Sequence, residues 1–168
     1  FKYSALYDIP TNAWPNIYTL YRRCTNDATI KELQFKILHG YIPTNKLLFQ
    51  MSKVVSDKCS FCEMYIETIE HVFYSCSVVR NIWLEIERKL YIAENEKINL
   101  TVSDVLFCYK MCSKDTFSVQ NININTLLLY VKNFIWQCKL ANIMPTKHNL
   151  MNNLDRNVMY IPYFSYIV

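Results

Sequence analysis

The stretch DKCSFCEMYIETIEHVFYSC, residues 57–76, holds three cysteines and one histidine at close spacing. The pattern is Cys59-x2-Cys62-x8-His71-x4-Cys76. Three thiolates and one imidazole form a ligand set that suits tetrahedral zinc. The short gap lets one tight turn point the sulfurs of Cys59 and Cys62 to the same place. The stretch therefore predicts a single zinc ion, Zn²⁺, held by Cys59, Cys62, His71 and Cys76.

The spacing of the last two ligands predicts an irregular helix. Residues five apart, such as His71 and Cys76, lie roughly 140° out of phase in a regular α-helix, so the helix must bend or end near Cys76. Four protein ligands leave no open position for water or substrate, and such a closed site is structural. The alternative is three ordinary buried cysteines and an unrelated histidine. Against it, Asp57, Lys58 and Glu63 are typical of an exposed turn.

The composition favours a helical protein. Of the 168 residues, 52% are hydrophobic and 15% aromatic, which is enough for a sizeable core, and only Gly40 is a glycine. A single glycine argues against Gly-rich phosphate loops, dinucleotide-binding motifs and hairpin-rich β folds. We therefore predict a mostly α fold, a small helical domain organised around a Cys₃His zinc knuckle, with little or no β structure.

Two helices are predicted before the cysteine cluster. Apolar residues recur at helical spacing between Ile30 and His39, and Gly40 stops this helix. A second helix follows Pro43, with Thr44 as its N-cap.

An amphipathic surface helix is predicted after the cluster from the apolar stripe Val78, Val79, Ile82, Trp83, Ile86 and Leu90. A polar connection over residues 93–101 leads to a short helix over 103–112 and a loop over 113–123. A last helix is predicted after Pro145, running through Leu154.

The longest helix is predicted over residues 125–141. One side is a core-facing stripe of Leu127, Tyr130, Val131, Phe134, Ile135 and Cys138. The other side carries Lys132, Trp136 and Lys139, with further leucines beside them. This helix is therefore predicted to be apolar on two sides. Its second face could contact another protein or, as a basic and aromatic stripe, nucleic acid.

The charge permits contact with a polyanion without requiring it. Lysine and arginine number 18 against 14 acidic residues, a net charge of +4, and residues 59–76 contain no lysine or arginine. The candidate nucleic-acid-binding residues are Arg22, Arg23, Lys31, Lys36, Lys53 and Lys58. Phe61, Tyr65 and Tyr74, near the metal ligands, could stack on unpaired bases. The alternatives are solvated helix faces for the basic residues and core packing for the aromatic ones.

The stretch from Leu33 to Trp83 resembles the zinc-binding domain near the C-terminus of non-LTR (LINE-type) retrotransposon reverse transcriptases. The resemblance lies in the segments LQFKILHGYIPTNKLL, DKCSFC, ETIEHVFYSC and VVRNIW, and more loosely in VKNFIWQCKLANIMPT, residues 131–146. It implies that the three cysteines and the histidine are zinc ligands, and it aligns Glu67 and Thr68 with the family's ET pair. It also implies an upstream polymerase domain that copies RNA onto nicked chromosomal DNA by target-primed reverse transcription. In such a parent, this segment would contact template RNA or target DNA.

No catalytic residue is predicted. Polymerase chemistry needs closely placed carboxylates to hold two Mg²⁺ ions, whereas the aspartates of this chain are scattered with no adjacent pair. We therefore predict a non-catalytic zinc-binding accessory domain that contacts RNA or DNA and the upstream polymerase domain, with no small-molecule substrate. The alternative is a zinc-stabilised docking module for protein–protein contact. A decayed gene fragment without present activity is a third possibility.

Three segments are predicted along the chain. Residues 1–26 are an irregular arm that continues from an upstream domain, residues 27–92 are the zinc-binding domain, and residues 93–168 are a C-terminal helical extension. Because the chain starts with Phe1, we expect it to be a fragment of a longer protein.

The seven cysteines predict a reducing compartment. Their number is odd, no secretory signal opens the chain, and no apolar run reaches the ~18 residues of a membrane span. We therefore predict reduced thiols, no membrane contact, and an intracellular protein of the cytoplasm and nucleus. Cys108 and Cys112, with Cys138 or His148, could begin a second metal site; the alternative is core cysteines on helix faces.

Overall fold

The computed structural model describes residues 6–158. Within this range it contains seven α-helices: α1 (Trp14–Cys24), α2 (Ala28–His39), α3 (Asn45–Gln50), α4 (Ser77–Glu94), α5 (Val102–Leu106), α6 (Val119–Leu140) and α7 (Lys147–Val158). A 3₁₀ turn (Thr11–Ala13) precedes α1, and a π-helical turn (His71–Ser75) precedes α4. The described residues form no strand, only an isolated antiparallel bridge between Lys58 and Ile66. The predicted mostly α class is confirmed.

Local capping sets both ends of α2 and the start of α3; Gly40 and Thr44 were predicted in these roles, and the N-cap Asp27 was not. The Asp27 carboxylate accepts the backbone N–H of Thr29 at 2.8 Å and begins α2. Gly40 ends α2 in the left-handed conformation, with φ of 71°, which glycine adopts without a Cβ clash. The Thr44 side chain accepts the N–H of Leu47 and begins α3, so the predicted N-cap is confirmed.

The amphipathic helix after the cysteine cluster is also confirmed. It is α4, and its residues Val79, Ile82, Trp83, Ile86 and Leu90 are buried, while Val78 is half-buried. The indole N–H of Trp83 donates to the carbonyl of Phe73 at 2.7 Å, which ties α4 to the π-helical turn.

The prediction of an irregular arm is wrong for residues 14–24, which form α1. Pro15 lies in the first turn of this helix, where a missing N–H has no intrahelical partner to lose. Trp14, Ile17 and Leu20 are buried, because α1 packs against α6. Residues 1–5 of the predicted arm and residues 159–168 of the predicted extension lie outside the described range. The division of the chain at residues 26 and 92 stays a prediction.

The longest helix, α6, begins at Val119 rather than at the predicted residue 125. Ser118 caps it by accepting the N–H of Asn121 at 3.2 Å. Asn121 and Asn125 are buried polar residues in its first turns, and they disguise the apolar pattern there. The short helix α5 ends at Leu106, well before the predicted residue 112.

Helix α6 is the central element of the fold. It packs against α1, α2, α7 and the π-helical turn, so its two apolar sides are both covered by this chain. Lys132 and Trp136, predicted on an open face, are buried, and the Trp136 ring lies 6.1 Å from that of Phe73. The predictions that this second face is free to contact another protein, or that it forms a nucleic-acid stripe, are therefore wrong.

Lys132 is a buried lysine in the core. Its ammonium group donates to Oε1 of Gln34, whose own amide N–H₂ donates to the carbonyl of Leu106 at 2.9 Å. Burial disfavours the charged form and lowers the pKa of Lys132 to about 7. The thiol of Cys24 faces the same region, and burial raises its pKa to about 11.

This lysine should make stability rise with pH. Between about pH 7 and 8.5 the unfolded chain keeps the lysine proton and the folded chain releases it, so the unfolded state binds more protons. The free energy of unfolding is expected to rise by about 1–2 kcal/mol across this window, relative to Lys132→Met. Urea unfolding of both zinc-loaded proteins at the two pH values measures the difference. An equal rise in the free energy of unfolding of the wild type and of Lys132→Met would contradict the lowered pKa of Lys132. Above pH 8.5 the buried thiols of Cys24 and Cys108 lower the stability as pH rises, because the unfolded chain releases their protons and the folded chain keeps them.

Candidate metal centre

The four predicted ligands lie together. One ligand atom from each of Cys59, Cys62, His71 and Cys76 falls within 4.8 Å of all the others. The sulfurs of Cys59 and Cys76 are 3.9 Å apart, and Cys62 Sγ is 3.3 Å from His71 Nε2. Tetrahedral zinc with Zn–S bonds of about 2.3 Å requires sulfurs about 3.8 Å apart, so this donor set fits the ion. The set is closed because all four positions are protein side chains.

The π-helical turn explains how His71 and Cys76 reach the same point. The backbone N–H of Cys76 donates to the carbonyl of His71 at 2.9 Å, an i to i+5 bond that closes a wider turn than an α-helix does. Cys76 itself is extended, with ψ of 131°, and α4 starts at the next residue. The predicted break of the helix near Cys76 is confirmed.

A tight loop presents the first two cysteines. The N–H of Cys59 donates to the carbonyl of Tyr65, and the N–H of Glu63 donates to that of Cys59, both at 2.8 Å. Glu63 has a φ of 57°, an unusual value for a residue other than glycine that reverses the chain directly after Cys62. The N–H of Phe61 points at the Cys59 sulfur at 3.4 Å, a contact that favours a thiolate.

The last cysteine lies at the start of α4. The pKa of Cys76 lies below its usual value because the Cys59 thiol donates to it and the N–H groups of Val78 and Val79 also do so, although burial opposes the shift. A thiolate at a helix N-terminus is a ready metal ligand.

Neighbouring side chains orient the imidazole of His71. Its Nε2 faces the sulfurs, while Nδ1 lies 3.4 Å from the Ser75 hydroxyl. The backbone N–H of His71 donates to the Thr68 hydroxyl at 3.0 Å. Partners on the far ring nitrogen select the tautomer that binds metal, and Ser75 occupies this position.

Glu67 connects the cysteine loop to the rest of the fold. Its carboxylate is fully buried, and it accepts the N–H of Asn45 at 2.7 Å, the N–H of Ser60 at 2.9 Å and the Ser60 hydroxyl at 2.7 Å. Lys139 of α6 lies 2.6 Å from Glu67 and also donates to Ser60 and Asn45. Burial alone would raise the pKa of Glu67, but the bonds from Lys139, Ser60 and Asn45 outweigh it and hold the pKa low.

Sequence reasoning missed the role of Lys139. It matched Glu67 to a family motif and placed Lys139 on an open helix face. In the structure the side chain of Lys139 is nearly buried and that of Glu67 is fully buried. A glutamate in a segment without any basic residue was the available signal, because a buried carboxylate needs a cation from elsewhere in the chain.

The six candidate nucleic-acid-binding residues lie at the surface, on α1, α2 and the segment before Cys59. Arg22, Arg23, Lys53 and Lys58 are exposed, and Lys31 and Lys36 are half-exposed. Three of them already have partners: Lys36 pairs with Glu32 at 2.6 Å, and the guanidinium groups of Arg22 and Arg23 lie 5.9 Å and 4.5 Å from the rings of Tyr21 and Phe117. Their contact with nucleic acid stays a prediction.

The three aromatic candidates near the metal ligands differ in exposure. Phe61 is buried, and Tyr74 is half-buried and donates its hydroxyl to the carbonyl of Leu100 at 2.8 Å. Only Tyr65 of the three is exposed, at 63%. Core packing therefore accounts for Phe61 and for most of Tyr74.

The cysteines outside the cluster form no second metal site within residues 6–158, where the Cys₃His group is the single cluster that could hold an ion. Cys108 and Cys138 are buried, Cys112 and His148 are exposed, and all seven cysteines are free thiols. Burial raises the pKa of Cys108, as expected for a core thiol.

The fold and the site define the class as a helical domain built around a closed Cys₃His cluster that could hold a metal ion. Residues 11–83 match the family model described as zinc-binding in reverse transcriptase. The match contains all four ligands and Glu67, but it ends before α6 and therefore before Lys139. No curated protein and no solved structure matches the chain.

None of the helices in residues 6–158 combines the length and the hydropathy that crossing a bilayer requires.

Proposed function

We propose that this chain is a non-catalytic accessory domain of a non-LTR retrotransposon reverse transcriptase, held in shape by one structural Zn²⁺. In this role it contacts template RNA or target DNA in the cytoplasm and nucleus and supports an upstream polymerase domain. The observation that carries the proposal is the closed Cys₃His cluster, which lies within a segment similar to the zinc-binding domain in reverse transcriptase.

Zinc in this site would supply shape rather than chemistry. The ion would tie the loop of Cys59 and Cys62 to the π-helical turn and to the first residue before α4. With four protein ligands, there is no position at which the ion could activate water or polarise a substrate. The contribution of the domain to reverse transcription is then binding and positioning.

Two exposed lysines in the segment before the first metal ligand support contact with nucleic acid. Lys58 directly precedes Cys59 and Lys53 lies six residues before it; both are exposed, and the exposed Tyr65 ring lies 5.8 Å from the ring of His71. An exposed lysine can neutralise a phosphate and release a bound counterion, which makes the affinity depend on salt. The metal-ordered loop would hold these groups in a fixed arrangement.

A salt titration tests the proposal. Anisotropy of a labelled structured RNA with the zinc-loaded chain should show an affinity that falls steeply with salt and is lost when a chelator removes the metal. Replacing both Lys53 and Lys58 by alanine is expected to reduce the slope of log K against log salt by about 0.7–0.9 for each phosphate that the variant no longer neutralises. Lys97→Ala, at an exposed lysine in the connection after α4, is the matched control and should leave the slope unchanged.

Retained folding without binding at low salt would contradict the proposal and favour the docking module. A reduction of the slope in Lys97→Ala that is half of that in the double variant would show that binding follows net charge alone and not the surface around Lys53 and Lys58.

A further inference from the structure

One face of α2 carries a cation followed by exposed aromatic rings. Lys31, Phe35 and His39 are spaced at i, i+4 and i+8, so they lie on the same side of the helix. Tyr41 follows directly after the left-handed Gly40 and extends the row beyond the end of the helix. We call Phe35, His39 and Tyr41 the aromatic stripe.

The three rings of the aromatic stripe are stacked on one another. The centroids of Phe35 and His39 are 4.0 Å apart with an angle of 30° between planes, and those of His39 and Tyr41 are 5.9 Å apart at 24°. His39 Nδ1 lies 2.9 Å from the carbonyl of Phe35, which fixes the orientation of the central ring. The stripe is thus ordered before any partner arrives, which reduces the entropy lost on binding.

The outer rings of the stripe are open to solvent. Phe35 is 42% exposed and Tyr41 is 66% exposed. Core packing does not account for this exposure, whereas the nearby residues Leu33, Ile37 and Ile42 point inward and are buried. Lys31 takes part in no ion pair within the described residues, and Lys36 lies on the adjacent side of the helix.

We propose that the aromatic stripe binds unpaired bases of single-stranded nucleic acid by stacking, with Lys31 contacting the phosphate backbone. The inference rests on the proposed function and deepens it, because it names the strand state that is bound and the residues that read it. Ordered, solvent-facing rings beside a cation are the elements that sequence-tolerant single-strand binders use. Every base has a flat face, so RNA and DNA share the chemistry, and the 2′-hydroxyl has no role in it.

Charge favours nucleic acid over an apolar protein segment at this surface. The chain has a net charge of +4, and Lys31 lies one helical turn from Phe35 on the same face. A protein helix docked on the stripe would have to cover or pair this lysine. A phosphate neutralises it in the same arrangement that brings a base onto the ring.

The first test removes the flat faces while keeping apolar volume. The variants Phe35→Leu and Tyr41→Leu should each weaken binding of an unstructured oligonucleotide by about five- to a hundredfold, since each removes a stacking surface. Tyr91→Leu is the matched control, because Tyr91 is 54% exposed on another helix, α4. The experiment uses the zinc-loaded chain with oligo(U), oligo(dT) and a duplex of equal length. Thermal unfolding checks that all variants remain folded.

The second test detects stacking directly. Trp14, Trp83 and Trp136 are all buried, so Tyr41→Trp adds a tryptophan that is accessible to a bound base. Its fluorescence is expected to be quenched on adding oligo(U) or oligo(dT), with affinity retained. Tyr91→Trp should be quenched by acrylamide but not by either oligonucleotide.

Weaker binding of both single strands by the leucine variants, together with quenching at position 41 alone, supports the stripe. Unchanged affinity in both variants, or an equal preference for duplex, overturns it and leaves the proposed function standing on the basic residues. A chain that binds neither oligonucleotide nor structured RNA overturns both proposals.

Discussion

Cys62→Ala is expected to release the metal and to unfold the region from the cysteine loop to the start of α4. Structural zinc binding is worth on the order of 10–16 kcal/mol in finger peptides, which is comparable to or larger than the net stability of an ordinary domain. The sulfurs of Cys59 and Cys76 lie 3.9 Å apart in the cluster, where a shared metal ion would hold them together. Removing one of the four ligands opens the coordination and leaves the other thiols without a cation.

Cys112→Ala is the matched control for this prediction. Cys112 is an exposed free thiol outside the cluster, so its replacement changes the number of cysteines without touching the site. The metal content of the purified proteins and their circular dichroism measure the effect. A Cys62→Ala protein that keeps stoichiometric metal and a wild-type unfolding transition would exclude this site.

Breaking the buried pair of Glu67 and Lys139 is expected to destabilise the metal-loaded protein by about 3–5 kcal/mol, because either partner alone is a buried and uncompensated charge. Glu67→Ala removes the acceptor of two backbone N–H groups as well as the partner of Lys139. We therefore expect the metal affinity to fall by about 10–100-fold as well, since Glu67 fixes Ser60 between the two ligands of the loop. Urea unfolding and competition with a chelator measure the two effects.

A double-mutant cycle separates the pair from the removal of either side chain. Glu67→Gln combined with Lys139→Met leaves no buried charge, and the double variant should be more stable than the sum of the single effects predicts. The control is Glu32→Ala, which breaks the exposed pair of Glu32 and Lys36 and is expected to change stability by less than about 1 kcal/mol. Additive effects of Glu67→Gln and Lys139→Met would show that the pair does not couple the loop to α6.

The Cys₃His cluster was predictable because its determinants are local in sequence. All four ligands fall between residues 59 and 76, and their spacing alone requires a turn and a broken helix. The end of α2 and the start of α3 were predictable for the same reason, since Gly40 and the Thr44 cap act within a few residues. The π-helical turn that makes this break was not predictable, because the spacing of His71 and Cys76 requires only that the regular helix stop.

The burial of α1 and α6 and the link from Glu67 to Lys139 depend on contacts between distant parts of the chain. The Lys139 bond to Ser60 joins residues 79 positions apart, and the Lys132 bond to Gln34 joins residues 98 apart. Helical periodicity places such lysines on the polar side of a helix. Whether that side meets water or another helix depends on the packing of all the elements, which the local pattern does not contain.

Zinc K-edge X-ray absorption, with metal quantification on the same purified chain, tests most directly whether the Cys₃His cluster is a closed structural site. The structure predicts one zinc ion per chain, with three sulfur ligands at about 2.3 Å and one nitrogen ligand at about 2.0–2.1 Å, and no bound water. A chain that purifies without stoichiometric zinc, or a spectrum with an oxygen ligand in place of a sulfur, would contradict it.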